Sequence, residues 1–295
     1  YDKRALERWL PVDMYVGGAE HATRHLIYAS FWHKFLYDLG VLRTDEPFQR
    51  LQNVGLILAS DGRKMSKRFG NVVNPDEIVE RFGADSLRIY EMFMGPFNQP
   101  IAWNTDSLVG ARRFLERVWK LRERTQSAEH EDRTKHKTKN TRLESLLHQT
   151  IKKVGDDIEA FRFNTAVSAL MILLNALEKE ELTSSDAYKT VLKLLAPFAP
   201  HITEELWARL GFTKSIHLEQ WPVYDERIAA SAPVTIIVQV NGKTRGSIIT
   251  RRGEERELLE TTALSLPLVQ KWLESKTVER IIVVPDKLVN IVIRE

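Results

Sequence analysis

The chain has 295 residues, of which 43% are hydrophobic, and 43 Lys and Arg residues against 40 Asp and Glu residues give it a formal net charge of +3. This balance is typical of a soluble protein of two or three domains of about 100 to 150 residues each, and it excludes a strongly basic nucleic-acid arm. No run approaches the roughly 18 apolar residues of a membrane-spanning helix, no apolar leader opens the chain and no cysteine is present, so we expect a cytoplasmic protein without a membrane partner or disulfides.

The first zone, from Pro11 to about Asn104, alternates strand-like runs with helical stretches. Met14 to Val16 and Val54 to Ala59 are apolar runs with the length and composition of strands. Aromatic and aliphatic residues recur at helical spacing from Ala22 to Leu39, which predicts a helix. The alternation indicates the end of an α/β unit.

A further helix is predicted from position 74 onward. Asn74 can cap it, and Pro75 suits the first helical position. Asp76 and Glu77 fall in the first turn, where the helix dipole favours negative charge, and Gly83 can end the helix. A rigid element therefore follows the basic segment that precedes it.

The second zone, from Leu108 to Trp221, has an almost wholly helical pattern that predicts a helical bundle. Two prolines, Pro197 and Pro200, break its amphipathic helices. Between Leu121 and Leu143 the single apolar residue is Ala128, and basic residues accumulate. This stretch is typical of a solvated loop or disordered connection, and contact with a phosphate backbone is the alternative.

The last zone, from Pro233 to Glu295, is rich in strand-like runs. The sequence VTIIVQVNGKTRGSIIT contains two such runs joined at Asn241-Gly242, the strongest hairpin signal in the chain. A helical stretch around Leu264 to Leu273 and a final strand pair, RIIVVP and LVNIVIR, complete a small α+β domain. The arginines on or near the hairpin fit either a solvated or a binding surface; they are Arg245, Arg251, Arg252 and Arg256.

A basic cluster lies in the segment SDGRKMSKRFGN, Ser60 to Asn71, where two Arg and two Lys residues fall within six positions. Like charges this close repel one another, which indicates an anionic ligand, and glycines at both ends favour a mobile loop. Lys64 and Lys67 carry flexible ammonium groups suited to stabilising the pyrophosphate that departs from a triphosphate. A basic solvated turn explains the same composition and is the alternative. The spacing excludes a P-loop.

A second constellation is YVGGAEHATRHL, from Tyr15 to Leu26. Gly17 and Gly18 end a strand-like approach at a point where backbone can come close to a ligand. Glu20 follows at the start of a helix, where acidic residues of nucleotide sites bind ribose hydroxyls. The sequence therefore predicts a nucleotide contact here.

Two histidines of this constellation have alternative interpretations. His21 and His25 are four positions apart and so share one helix face. The same spacing fits a metal pair, with Glu20 or His33 as further ligands, although Arg24 between them disfavours a cation. Structural histidines that are satisfied by hydrogen bonds are the third interpretation.

Together the two constellations resemble the class I aminoacyl-tRNA synthetases, and among them the bacterial-type leucyl branch. KMSKR stands where that family has Lys-Met-Ser-Lys-Ser; it is followed by GNVVNPDEIVERFGADSLRIYEMFMGP and preceded by LPVDMYVGGAEHATRHLIYASFWHKFLYDLG. FNTAVSALMILLNAL and LAPFAPHITEELW are similar to the family's helical domain, and VQVNGKTRG and VVPDKLVNIVI to its C-terminal domain. The likeness covers nearly the whole chain.

The resemblance implies an α/β remnant of a Rossmann-like nucleotide-binding domain over residues 1–107. An all-α helical bundle of the anticodon-binding type over 108–230 and a small α+β tRNA-binding domain over 231–295 would follow. The implied reaction is activation of leucine by ATP and transfer of leucine to the terminal adenosine of tRNA(Leu). Mg²⁺ would accompany ATP, with no metal held by the protein alone. Catalysis would rest on positioning and electrostatics, without a covalent nucleophile.

The resemblance also implies roles for single residues. His21 and His25 would line the leucine pocket, and Gly17, Gly18 and Glu20 would hold the adenosine part of the adenylate. The catalytic residues would be Lys64 and Lys67, within an ATP-binding segment that consists of Lys64, Met65, Ser66, Lys67 and Arg68. The tRNA-binding residues of the C-terminal domain would be Lys243, Arg245, Arg251 and Arg252, and the basic stretch from Arg133 to Arg142 gains weight as a further tRNA contact.

Two features depart from the family pattern. Arg68 replaces the final Ser of the signature, which exchanges a hydroxyl for a charge. The family's other ATP signature, of the His-Ile-Gly-His type, and its editing domain are not found among these residues. We therefore expect a C-terminal portion or a small subunit that needs an N-terminal portion, or another subunit of the same synthetase, for activity. A non-catalytic tRNA-binding fragment or module is the alternative, although Lys64, Lys67 and Glu20 favour the enzyme.

Overall fold

The computed structural model of the chain describes residues 1–130, 141–180, 184–230, 234–250, 252–273 and 276–294. The chain forms two compact units. The first consists of residues 1–122, 154–171 and 195–219, and the second of residues 123–153, 172–194 and 220–295. The division into three domains at residues 107 and 230 stays a prediction.

Two small parallel sheets form in the first unit. Helix α1 (Lys3–Trp9) precedes strand β1 (Tyr15–Gly18), which pairs in parallel with β2 (Leu51–Val54). Strand β3 (Ile57–Leu58) pairs in parallel with β4 (Ile101–Ala102). Parallel pairs with helical connections are the pattern of an α/β domain, which confirms the mixed α/β class expected for this zone.

Gly55 interrupts the single strand predicted from Val54 to Ala59. Its N–H donates to the carbonyl of Phe97 at 2.8 Å, and a Cβ atom at this position would lie 1.9 Å from the carbonyl oxygen of Gln99. Two backbones approach here to a distance that no side chain permits. The prediction of one continuous strand is therefore wrong, because β2 ends before Gly55 and β3 begins after it.

The connection between β1 and β2 is helical, but it is not the single helix predicted. A 3-10 turn over Ala19–Thr23 is followed by helix α2 (His25–Asp38). Arg24 between them has φ −128° and ψ −100°, outside the helical region. The expectation that His21 and His25 share one face of a continuous helix is therefore wrong.

Helix α3 (Pro75–Phe82) begins as its sequence predicts. Oδ1 of Asn74 accepts the N–H of Asp76 at 3.1 Å, and Gly83 ends the helix with a φ of 87°. Helix α4 (Ala84–Phe93) follows directly. The prediction succeeds because cap, proline and glycine act within one short segment.

Helices dominate the middle of the chain, as predicted. They are α5 (Leu108–His130), α6 (Thr141–Glu159), α7 (Phe163–Leu177), α8 (Ser185–Leu195) and α9 (Pro200–Arg209). The two predicted breaks fall where α8 passes into α9. Pro197 lies in the connection, and Pro200 is the first residue of α9. No described helix is long and apolar enough to cross a bilayer. Nearly all of the basic stretch that precedes α6 lies outside the described residues.

A buried carboxylate joins two helices of the first unit. Asp85 on α4 accepts the N–H groups of His201 at 3.3 Å and Ile202 at 2.7 Å, at the start of α9. Its Oδ1 also lies 2.8 Å from Nδ1 of His201. Arg88, almost one turn later on α4, donates to the carbonyl of Pro197 at 2.8 Å. Polar groups therefore satisfy the otherwise unpaired end of α9.

The last zone forms a four-stranded sheet after a short helix, α10 (Glu226–Ala230). Its strand order is β6-β5-β8-β7, and the strands are β5 (Val234–Val240), β6 (Lys243–Thr250), β7 (Thr277–Val284) and β8 (Leu288–Arg294). Asn241 and Gly242 have φ angles of 46° and 76°, which confirms the predicted hairpin turn.

Two helices pack on one face of this sheet. They are α11 (Arg256–Ser265) and α12 (Pro267–Leu273), so Pro267 divides the helical stretch predicted as one. Val238, Ala263 and Ile291 are fully buried in the core between helices and sheet. The small α+β fold of this zone is therefore as predicted.

Candidate functional site

The basic segment after β3 is a folded loop with two tight turns. Gly62 and Gly70 have φ angles of 77° and 63°, a region that glycine enters at little cost. Between them a 3-10 turn over Lys67–Phe69 is capped by Ser66, whose Oγ accepts the N–H of Arg68 at 3.2 Å. The two glycines therefore shape the loop as well as bracket it.

Asn71 fastens the loop to itself. Its Oδ1 accepts the N–H of Ser66 at 2.9 Å, and its Nδ2 donates to the carbonyl of Lys64 at 3.4 Å. The side chain thus holds the backbone on both sides of Met65, between the two lysines. Sequence reasoning missed this residue, because only the folded loop brings position 71 back to positions 64 and 66.

One cation of the cluster is already paired. The guanidinium of Arg63 lies 2.6 Å from Oδ2 of Asp61 and 5.0 Å from the ring centre of Phe69. The pKa of Asp61 is lowered, first because the Arg63 side chain donates to it and then because the Arg63 N–H does. Part of the repulsion expected from the sequence is thereby offset.

The other three cations of the loop are exposed. In the part of the chain that the structure describes, no carboxylate lies within ion-pair distance of Lys64, Lys67 or Arg68. Met65 and Ser66 between them are half-buried. The loop therefore presents three positive charges to solvent on a backbone held from within.

Gly17 and Gly18, called the Gly-Gly turn below because a 3-10 turn begins directly after them, are the last two residues of strand β1, and two side chains fold against them. A Cβ at Gly17 would lie 3.1 Å from the ring of Tyr15, and a Cβ at Gly18 would lie 2.2 Å from Oε2 of Glu20. The carboxylate of Glu20 therefore lies over Gly18, and the ring of Tyr15 lies beside Gly17. The nucleotide contact predicted for the two glycines stays a prediction.

His21 and His25 come close in spite of the break between them. Their ring centres are 6.4 Å apart, edge to face. Nδ1 of His25 lies 2.9 Å from the hydroxyl of Tyr15, whereas Nδ1 of His21 is buried and has no hydrogen-bond partner among the described residues. A buried, unpaired imidazole nitrogen costs free energy unless a ligand satisfies it, which is the behaviour expected of a binding pocket.

His33 does not join this pair. It is buried on α2, and its Nε2 lies 3.3 Å from Oγ1 of Thr44. This histidine is therefore satisfied structurally. Among the described residues, no three His, Asp or Glu side chains come together in the way that metal ligands do.

Each constellation lies at the end of a strand that belongs to a parallel pair. β1 ends in the Gly-Gly turn and β3 leads into the loop, and ligands of α/β sheets bind beyond the carboxyl ends of the strands. Within the described residues, no hydrogen bond, ion pair or ring contact joins Tyr15–His25 to Ser60–Asn71. A ligand that used both would have to bridge them.

Helix α2 exposes an unusually apolar face. Ile27, Phe31 and Trp32 on this helix and Leu39 at its C-cap have 60%, 71%, 58% and 62% of their surface accessible. Ile27, Phe31 and Leu39 are four and eight positions apart. Scattered apolar residues are normal on a protein surface, but a contiguous row of this kind marks an interaction site.

The basic residues of the C-terminal sheet differ in their surroundings. Lys243 and Arg252 are exposed. Arg245 lies with its guanidinium 3.5 Å over the ring of Trp272, and its buried Nε has no hydrogen-bond partner in the part of the chain that the structure describes. Arg251 lies outside the described residues. Lys243 and Arg252 are therefore open to an anion, and Arg245 is held by the tryptophan.

Two sequence families match the chain. One, described as tRNA synthetases class I (I, L, M and V), matches residues 1–104. The other, described as the anticodon-binding domain of tRNA ligase, matches residues 140–260. Both agree with the resemblance inferred from the two constellations.

Solved structures extend the comparison. The leucyl-tRNA synthetase (LeuRS) agnB2 of Agrobacterium radiobacter K84, in a ternary complex with tRNA and LeuAMS, is 35% identical, has a TM-score of 0.78, and is matched by 100% of this chain. Two structures of Mycobacterium tuberculosis methionyl-tRNA synthetase with methionyl-adenylate are 20% and 19% identical, match 70% of this chain with TM-scores of 0.54 and 0.56, and share the fold. The chain spans 40% of the length of the leucyl enzyme and 46% and 45% of the two methionyl structures.

Proposed function

Because the chain belongs to the class I aminoacyl-tRNA synthetases, we propose that it is part of an enzyme that activates leucine with ATP and transfers it to tRNA(Leu). The observation that carries the proposal is the loop with three exposed cations, Lys64, Lys67 and Arg68, on a backbone that Asn71 fastens. Class I synthetases use ATP, whose triphosphate is the anion that such a loop fits.

The loop would act on the phosphates and not on the amino acid. The ammonium groups of Lys64 and Lys67 would stabilise negative charge that develops as pyrophosphate departs, and Asn71 holds the backbone between them through Lys64 and Ser66. Arg68 adds a third charge beside the capped N–H of the turn. Mg²⁺ would arrive with ATP, held largely by phosphate oxygens and water.

The Gly-Gly turn, Glu20 and the two histidines would hold the adenosine and leucine parts of the adenylate, whereas the loop binds phosphates. The adenosine part would approach the backbone of Gly17 and Gly18, and Glu20, whose carboxylate lies beside Gly18, offers acceptors for ribose hydroxyls. His21 and His25 would line the leucine pocket, and the unpaired Nδ1 of His21 supports this placement. Catalysis would come from positioning and electrostatics, without a covalent nucleophile.

The exposed face of α2 supports the need for further chain. Parallel sheets are covered on both faces in known proteins, and two-stranded sheets are too small to be stable alone. The leucyl relative is more than twice as long as this chain. We propose that an N-terminal portion, in the same polypeptide or another subunit, covers α2 and completes the reaction site. A cytoplasmic location is part of the same proposal.

Substrate preference tests the proposed reaction. In an enzyme that contains this chain and its N-terminal portion, we expect leucine to support ATP–pyrophosphate exchange with a kcat/KM at least about 100-fold above those for isoleucine, valine and methionine. A preference for one of the other three would contradict the leucine assignment. Exchange with none of them would favour the rival function, a non-catalytic tRNA-binding module.

The salt dependence of tRNA affinity tests the C-terminal residues. We expect Lys243→Ala to weaken tRNA(Leu) binding and to reduce the slope of log K against log salt by about one, because one phosphate contact is lost. Arg256→Ala is the control, because it removes the same charge from an arginine whose Nε is already paired with Glu260 at 2.6 Å. An equal change in both variants would show that net charge, and not a contact of Lys243, sets the affinity.

A further inference from the structure

Tyr15 connects the Gly-Gly turn with His25. Its ring lies over Gly17, stacks on the imidazole of His25 at 5.3 Å between centres with an angle of 29° between planes, and contacts Phe48 at 4.8 Å. The ring is therefore fixed from three sides.

The hydroxyl of Tyr15 lies 2.9 Å from Nδ1 of His25. This bond decides which ring nitrogen of a neutral imidazole carries the proton. A phenol O–H is a stronger donor than an imidazole N–H, and an imidazole nitrogen is a stronger acceptor than a phenol oxygen. The favoured arrangement is therefore O–H of Tyr15 donating to Nδ1, which leaves the proton on Nε2.

We propose that Tyr15 is a positioning residue, which fixes the imidazole of His25 in one orientation and in the tautomer protonated at Nε2. His25 then offers the amino-acid pocket a single, fixed donor, where a free imidazole would interconvert between two tautomers. The inference rests on the proposed function only for what this donor serves, namely binding of the amino acid. The tautomer itself depends only on the contact between Tyr15 and His25 within this chain.

The tautomer is read directly from imidazole ¹⁵N chemical shifts of the chain at about pH 8, above the ordinary titration range of histidine. We expect a protonated Nε2 and an unprotonated Nδ1 for His25, and a mixture of tautomers in Tyr15→Phe, which keeps the ring. A proton on Nδ1 in the unchanged chain, or the same tautomer in both proteins, would overturn the proposal. The measurement on the unchanged chain needs no variant to fold.

Kinetics separate positioning from a merely structural role. In the complete enzyme we expect Tyr15→Phe to raise the KM for leucine about fivefold, with kcat and the KM for ATP changed by less than about twofold. Tyr28→Phe is the matched control, because the Tyr28 ring meets His25 edge to face at 5.0 Å and its hydroxyl makes no hydrogen bond to that imidazole. It should leave the KM for leucine unchanged.

The tautomer and the kinetic constants test different parts of the proposal. A shifted tautomer with an unchanged KM for leucine would overturn the positioning role. Equal effects of the Tyr15 and Tyr28 variants would do the same. If the complete enzyme activates no amino acid at all, the proposed function fails, while the ¹⁵N shifts still decide whether Tyr15 sets the state of His25.

Discussion

Replacing Lys67 by alanine lowers kcat for leucine-dependent ATP–pyrophosphate exchange by about 100-fold or more in an enzyme completed with its N-terminal portion. Lys67 is exposed, pairs with no carboxylate among the described residues, and lies on a turn capped by Ser66. Its ammonium group is therefore available for charge that develops in the transition state, and loss of one such contact costs two orders of magnitude or more. Measuring kcat at saturating ATP separates this effect from weaker ATP binding.

Arg63→Ala is the matched control for this loop. It removes the same charge four positions away, but Arg63 is already paired with Asp61 at 2.6 Å. We expect less than about a fivefold change in kcat, because an exposed ion pair contributes little. If Lys67→Ala also loses less than fivefold, the loop does not stabilise the departing phosphate and is better described as a solvated turn.

The chain by itself is expected to show no leucine-dependent ATP–pyrophosphate exchange, and addition of the N-terminal portion is expected to restore it. The physical reason is that the two constellations make no contact with each other among the described residues, so neither encloses a nucleotide alone. Exchange assays of the separate and mixed portions measure this directly. Activity of the isolated chain at the level of the mixture would contradict the expected dependence.

The exposed face of α2 provides a sharper form of the same test. Phe31→Asp places a charge on a side chain that is 71% exposed, so the isolated chain should fold as before. On association the charge would be buried unpaired, which should abolish restoration of activity. Ile172→Asp is the control, because Ile172 is 55% exposed and lies on α7 instead. Equal loss in both variants would place the contact elsewhere.

Local sequence signals predicted those elements whose structure is determined locally. Helix α3 begins at a cap and a proline and ends at a glycine within ten positions, and the hairpin turns at Asn241 and Gly242. The prediction of one helix over residues 22–39 was wrong, because the backbone of Arg24 is not helical, and the next residue, His25, contacts Tyr15 ten positions earlier. Hydrophobic periodicity carries no information about such contacts.

The candidate site divides in the same way. Charge density and glycine spacing made Lys64 and Lys67 candidates, although a basic solvated turn explains the same composition. Asn71 and Tyr15 could not be identified in this way, because their importance depends on a loop that returns to Ser66 and on a strand that faces α2. Candidate residues for the chemistry can thus be found in the sequence, while the residues that hold them in place become visible only in the fold.

Substitutions of Gly55 would be difficult to tell from substitutions of a catalytic residue. Every side chain at this position meets the carbonyl of Gln99, so even alanine forces the two segments apart. Such a position would tolerate no replacement and would rank with the lysines in a saturation-mutagenesis screen that scores cell growth. A thermal-denaturation readout alongside the growth score would separate the two, since variants at Gly55 should lose folded protein and variants at Lys67 should lose only turnover.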